Sequence, residues 1–159
     1  MDHLTLRGTH WELGFQQGAR LAARGQFLLD HVPFPLTAER RAFAAACRPA
    51  YERHFPTALE ELAGLAAGQD CPREDLEAVL FTTYALPPAC GCSCLAVSNG
   101  NGVFFGRNSD FLTAMEPYNT HVVYQFSSGG IPFAGNATSF VQMEDAVNAR
   151  GLAVGLTSV

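Results

Sequence analysis

Helical spacing governs the first half of the chain, and β-branched and aromatic runs divided by glycine turns govern the second. "WELGFQQGARLAARGQFLL" places Leu13, Gln16, Gln17, Leu21 and Phe27 within helical reach of one another, with glycines that weaken the helix. "TAERRAFAAACRPAYERHF" opens on Thr37, a residue type suited to an N-cap, and Pro49 should kink or divide the helix it starts. "PTALEELAGLAAGQD" has Pro56 for a first turn, Gly68 for a C-terminal cap, and Leu59, Leu62 and Leu65 on one stripe. "REDLEAVLFTTYAL" carries acids in its first turn and apolar positions Leu76, Val79 and Leu80, and stops at Pro87 and Pro88.

After Pro88 the spacing changes to β-branched and aromatic runs divided by glycine turns. "CLAVSNGNGVFFGR" predicts a hairpin turning at Asn99 to Gly102. "THVVYQFSSGGIPFAG" predicts a strand, a turn and a return, and "EDAVNARGLAVGLTSV" a third pair turning near Asn148 to Gly151. The fold class is therefore α+β, with helices up to about residue 88 and antiparallel sheet beyond. The last residues, "GLAVGLTSV", read as the interior of a buried strand, so a longer parent protein is expected, with a short terminal edge strand as the alternative.

The first hairpin can be read to its register. With the turn centred on Gly100 and Asn101, Ser98 faces Val103, Ala96 faces Phe105, Cys94 faces Arg107 and Cys92 faces Ser109. Period 2 then sets Cys90, Cys92 and Cys94 on one face with Arg107, and Leu95, Val97 and Phe104 on the other. Apolar residues on both faces predict central strands covered on both sides. A guanidinium in that setting needs a partner. Asp110 serves if the strand ends or bulges after Arg107; a regular strand points the two apart.

Composition narrows the function. Of 159 residues, 48% are hydrophobic and 16% charged, enough for a packed core. The net charge of −5 and the absence of a Lys/Arg run argue against nucleic-acid binding. The N-terminus has no apolar leader, and no stretch approaches the roughly 18 apolar residues of a membrane span. Five cysteines, three of them crowded into residues 90 to 94, do not make a secreted disulfide framework, so a reducing, cytoplasmic setting is expected.

The crowded trio allows more than one chemistry. As a metal clip, Cys90, Cys92 and Cys94 have one residue between ligands where zinc sites use two to four. A disulfide within one strand is geometrically poor. Cys47 and Cys71 read as small buried hydrophobes. For the trio, spacing alone leaves burial and function balanced. The rivals to catalysis are a thiol or metal-binding module, and an inert truncated relative whose exposed strands pair with a second copy as a homo-oligomer.

Two separate stretches resemble a known family. "RGTHWELGFQQG", with Gly8, Thr9, His10, Glu12, Gly14, Gln16 or Gln17, and Gly18, is similar to the opening pattern of the acyl-coenzyme A:6-aminopenicillanic acid acyltransferase-like family. "GCSCLAV" and "GVFFGRNSDF" resemble its processing site and first hairpin, and the mature N-terminus of choloylglycine hydrolases and penicillin V acylases. The resemblance implies an N-terminal-nucleophile (Ntn) hydrolase with an αββα sandwich, incomplete in this chain. Residues 1–91 would be a mainly helical propeptide, and 92–159 the start of the catalytic domain. Gly91–Cys92 would be the self-cleaved bond. Cys92 would be the nucleophile, with its freed α-amine as base. Arg107 would polarise the sulfur, and Asp110 would partner the α-amine and Arg107. Cys92 is singled out because it alone has Gly before it and Ser after it. Where the bile-salt branch has an oxyanion asparagine, this chain has Thr157. No cofactor or metal is implied, and the partner is a small-molecule amide or acyl substrate.

Overall fold

The computed structural model describes residues 2–83, 85, 91–110, 113–139 and 141–157. Cys90, Pro87 and Pro88 lie outside the described residues. The chain is α+β and divides into two compact units. One, mainly helical, comprises Leu6–Pro87 and Phe126–Gly129; the other, mainly sheet, comprises Met1–Thr5, Pro88–Gln125 and Gly130–Val159.

The first element is a strand that helical spacing did not predict. β1 spans Asp2–Gly8, with Leu4 and Leu6 alternating against exposed His3, Thr5 and Arg7. Gly8, at φ 136°, turns the chain into helix α1, His10–Ala22. Thr9 caps that helix: its hydroxyl accepts from the Glu12 N–H at 3.3 Å, while the Glu12 carboxylate accepts from the Thr9 N–H at 2.7 Å. This reciprocal capping lowers the Glu12 carboxyl below its ordinary value, chiefly through the Thr9 backbone hydrogen bond. The Gln16 amide then reaches back to the backbone of Arg7, donating to its carbonyl at 2.7 Å and accepting from its N–H at 3.2 Å. Most of the N-terminal motif is thus a strand-to-helix connection. Phe27 falls outside the helix, because Gly25 at φ 71° ends the run and Phe27 precedes a separate 3-10 turn, Leu28–His31.

The remaining helices are α2 (Ala38–His54), α3 (Pro56–Gln69) and α4 (Arg73–Thr82). Thr37 caps α2 through the Arg40 N–H, and Pro49 sits inside α2 without dividing it. Asp70, not Gly68, ends α3, in the left-handed conformation at φ 51°. Gly68 has another task. Gly14 and Gly18 of α1 meet Gly64 and Gly68 of α3 so closely that a Cβ on Gly14 would lie 1.9 Å from the Glu61 carbonyl oxygen. A Cβ on Gly64 would lie 1.9 Å from that of Trp11. The glycines that looked like helix weaknesses let two backbones touch.

Around this crossing Leu13, Leu21, Leu28, Leu59, Leu65, Leu76 and Val79 are buried. Gln69 fastens the following turn, accepting from the Leu28 N–H at 2.7 Å and donating to the Gly18 carbonyl at 2.8 Å. Buried Glu77 on α4 receives Arg48 of α2 through both oxygens, at 2.7 and 2.8 Å, and Arg73 at 2.7 Å. No helix among the described residues is long and apolar enough to cross a membrane.

Among the described residues the sheet unit contains two antiparallel sheets, the kind of β layers an Ntn sandwich is built from. β2 (Gly91–Asn99) and β3 (Gly102–Asp110) form a two-stranded hairpin whose register is the one read from the sequence: Cys92 opposite Ser109, Cys94 opposite Arg107, Ala96 opposite Phe105, Ser98 opposite Val103. β4 (Thr120–Phe126), β5 (Phe133–Ser139), β6 (Gln142–Asn148) and β7 (Ala153–Gly155) join β1 in the order β1-β4-β5-β6-β7. Val122, Tyr124 and Ala137 are buried, as are Met115 and Tyr118 of the 3-10 turn Thr113–Tyr118.

The expectation that the hairpin strands are central and doubly covered is corrected. Among the described residues β2 and β3 pair only with each other, and Leu95 (66%), Phe104 (55%) and Val97 (40%) are exposed. The face carrying Cys92, Cys94, Phe105 and Arg107 meets β6, β7 and the residues just after β7.

Candidate active site

Cys92 and Arg107 reach each other because hairpin pairing sets both on one face, one step along the ladder. Arg107 Nη2 donates to Cys92 Sγ at 3.2 Å. The guanidinium is 3% exposed and held on every side. Nη2 also donates to Glu144 Oε2 at 2.8 Å, Nε donates to the Leu156 carbonyl at 2.7 Å, and Nη1 faces Asp145 Oδ2 at 3.5 Å. These contacts fix the Arg107 guanidinium in place beside the sulfur.

The acids came from farther along the chain than expected. Glu144 and Asp145 lie on β6, held beside β3 by the meeting of the two sheets. Glu144 also accepts from Ser109 Oγ at 3.0 Å, and Ser109 sits directly opposite Cys92. Asp145 Oδ1 accepts from the Asn136 side chain at 3.0 Å and from its N–H at 3.2 Å, next to a bulge in β5. Asn136 Oδ1 in turn meets His121 Nδ1 at 3.1 Å.

Asp110 is not Arg107's partner in this arrangement. β3 runs without a bulge through Asp110, so residues 107 and 110 point to opposite faces. Asp110 accepts from Asn108 Nδ2 at 2.7 Å, and it stands across the ladder from Gly91. Thr157 follows Leu156, whose carbonyl anchors Arg107, but it is exposed and the structure does not bring its hydroxyl to the sulfur. Cys94 shares the Cys92 face, and Cys47, Cys71, Cys92 and Cys94 are all free thiols. Burial pushes the Cys71 thiol above its ordinary value, as befits an inert, structural cysteine. Among the described residues no group of three His, Cys, Asp or Glu is placed to hold a metal.

Residues 97–159 match the family model described as acyl-coenzyme A:6-aminopenicillanic acid acyl-transferase. Over that stretch the chain is similar to this acyltransferase family, and the match supports a place in the Ntn hydrolase superfamily. The match covers Arg107, Asp110, Glu144 and Thr157 and begins five residues after Cys92. It supports a general acyltransferase or Ntn-hydrolase type of function. No curated protein matches the chain.

Beside Arg107 a cavity of about 470 Å³ opens between β3 and strands β5 to β7. Phe105, Val147 and Ala153 form apolar walls, and Arg107, Asn136 and Asp145 supply polar groups. That combination suits a ligand with an apolar body and one polar end.

Burial raises the Glu144 carboxyl from its ordinary 4.5 to about 7, with the neighbouring Asp145 charge adding to the shift. The folded chain therefore binds a proton between about pH 4.5 and 7 that the unfolded chain does not. The stability this contributes is full below the unfolded value and is lost as pH rises to about 7. We expect urea denaturation to show stability falling by on the order of 2–3 kcal/mol from about pH 4.5 to 7.5, and a flatter profile for Glu144→Gln. Equal slopes for the two proteins would show that Glu144 does not titrate in this window.

Proposed function

We propose that the protein is a self-processing cysteine Ntn amidohydrolase or acyltransferase, acting on linear, non-peptide amides through an acyl-thioester on Cys92. The observation that carries this reading is the 3.2 Å hydrogen bond to Cys92 Sγ from a buried Arg107 that three further contacts anchor. An arginine so placed has an evident use if the sulfur must become an anion. Processing cuts the Gly91–Cys92 bond, leaving 1–91 as propeptide and 92–159 as the beginning of the catalytic domain. The freed α-amine, an ordinary base with a pKa of about 8, then accepts the thiol proton in each turnover. Asp110, whose place on β3 is across the ladder from Gly91, is the candidate partner of that ammonium. Thr157 remains the oxyanion candidate from the chain after β7.

The apolar-walled cavity fits a small-molecule acyl or amine group, and the acidic chain is unsuited to nucleic acid. The free thiols suit a reducing, cytoplasmic setting. Intact mass measurement tests the central step. The full chain should yield fragments 1–91 and 92–159; Cys92→Ala should abolish them, while Cys90→Ala and Cys94→Ala are still cut. Cutting that persists in Cys92→Ala would remove this sulfur from the chemistry.

A further inference from the structure

In the uncut chain the nitrogen of Cys92 belongs to a peptide bond at the start of β2. Its lone pair is delocalised into the carbonyl, so it cannot take a proton. The α-amine that serves as base in the mature enzyme therefore does not exist when the first bond is cut. Another group must receive the thiol proton before sulfur attacks the Gly91 carbonyl.

The titratable groups around that sulfur differ in what they can do. Asp110 is turned to the opposite face of β3 and engaged by Asn108. Asp145 lies on the far nitrogen of the guanidinium, and its other oxygen is held by Asn136. His121 meets Asn136, two hydrogen bonds short of Arg107. Glu144 differs from all three. Its Oε2 shares one nitrogen, Arg107 Nη2, with Cys92 Sγ, at 2.8 and 3.2 Å. The same oxygen accepts from Ser109, the cross-strand partner of Cys92. Sulfur and carboxylate are thus close enough for proton transfer through one water molecule.

We propose that Glu144 is the base for self-cleavage, and that the α-amine of Cys92 takes over only in the cut enzyme. This rests on the reading of Cys92 as the nucleophile. The Glu144 carboxylate takes the Sγ proton, and the Sγ–C bond forms at the Gly91 carbonyl. The C–N bond to Cys92 breaks as Glu144 returns its proton to the departing nitrogen, which becomes the α-amine. Water then hydrolyses the thioester, giving the Gly91 carboxylate and restoring the thiol. A carboxyl held at about 7 by burial can both accept and return a proton near neutral pH. Among the described residues, charges facing it include Arg107 on β3 and Asp145 on its own strand, with Ser109 as a neutral donor.

The test follows the cut fraction of freshly translated full chain by intact mass, from about pH 5.5 to 8.5. The wild-type rate should rise with pH and level off above about pH 7, where Glu144 is ionised. Glu144→Gln should slow cutting by about 100-fold or more and erase that inflection. Glu144→Asp should recover part of the rate and keep an inflection, which a merely structural role would not produce. Its urea midpoint at about pH 5, where the native carboxyl is protonated, shows whether Glu144→Gln folds normally; if it does not, the Glu144→Asp profile decides. Undiminished cutting in Glu144→Gln, beside wild-type cutting at Gly91, overturns this inference and leaves Cys92 as nucleophile. A wild-type chain that is never cut there overturns both.

Discussion

Replacing Gly64 with alanine should destabilise the helical unit by about 3 kcal/mol or more. Helix propensity alone gives the opposite sign, since alanine is favoured over glycine inside a helix by about 1 kcal/mol. The steric effect wins because of what the new methyl would meet. It would fall 1.9 Å from the Trp11 carbonyl oxygen, a backbone atom that cannot rotate away. α1 and α3 would have to separate, and the remaining contacts of the crossing would go with them. Gly14, Gly18 and Gly68 face carbonyl oxygens at 1.9, 2.5 and 2.5 Å by the same measure, so relief at one position strains the others. Urea denaturation followed by helical circular dichroism checks the sign. An alanine variant as stable as the parent would mean that the two helices do not touch at this point.

Arg107→Met should cost the folded chain about 3–5 kcal/mol near pH 8 and slow alkylation of Cys92 by iodoacetamide. The side chain removed is 3% exposed, and it leaves behind Glu144, 2% exposed, and Asp145, 17% exposed. Two carboxylates without their cation repel each other in a site that cannot hydrate both. Acidification should therefore rescue the variant, because a protonated Glu144 removes one charge. Stability should recover as pH falls from about 8 to 5, more steeply than in the wild type. Arg107→Met combined with Glu144→Leu should regain much of the loss at pH 8, because an apolar pair replaces a buried ion pair. A single variant that loses less than about 1 kcal/mol would show that these charges are solvated after all.

Local chemistry made the hairpin legible. The Asn-Gly-Asn-Gly turn set its register, and the register set which cysteines share a face with Arg107. The same reasoning placed the Asn148 to Gly151 turn, where the Asn148 side chain accepts from the N–H groups of Arg150 and Leu152. Contacts distant in sequence were not legible. Glu144 stands 37 residues from Arg107, and no spacing rule ties a carboxylate on β6 to a guanidinium on β3. A regular strand already pointed Asp110 away, which signalled that Arg107's acid would come from elsewhere. β1 was written in the alternation of Leu4 and Leu6 but was overshadowed by the helix behind it. The glycines at 14, 18, 64 and 68 repeat every fourth residue on two helices. That matched spacing was the available sign of a crossing, and reading each glycine singly, as a breaker or a cap, hid it.

The place of β1 bears on what self-cleavage would leave behind. Asp2–Gly8 is the first member of the sheet that also holds Glu144, and backbone hydrogen bonds do not depend on an intact link at residue 91. Scission would divide the covalent chain without dividing the protein. The leader would remain as a tenant strand, and the product would be a two-chain particle that parts only when its sheet is melted.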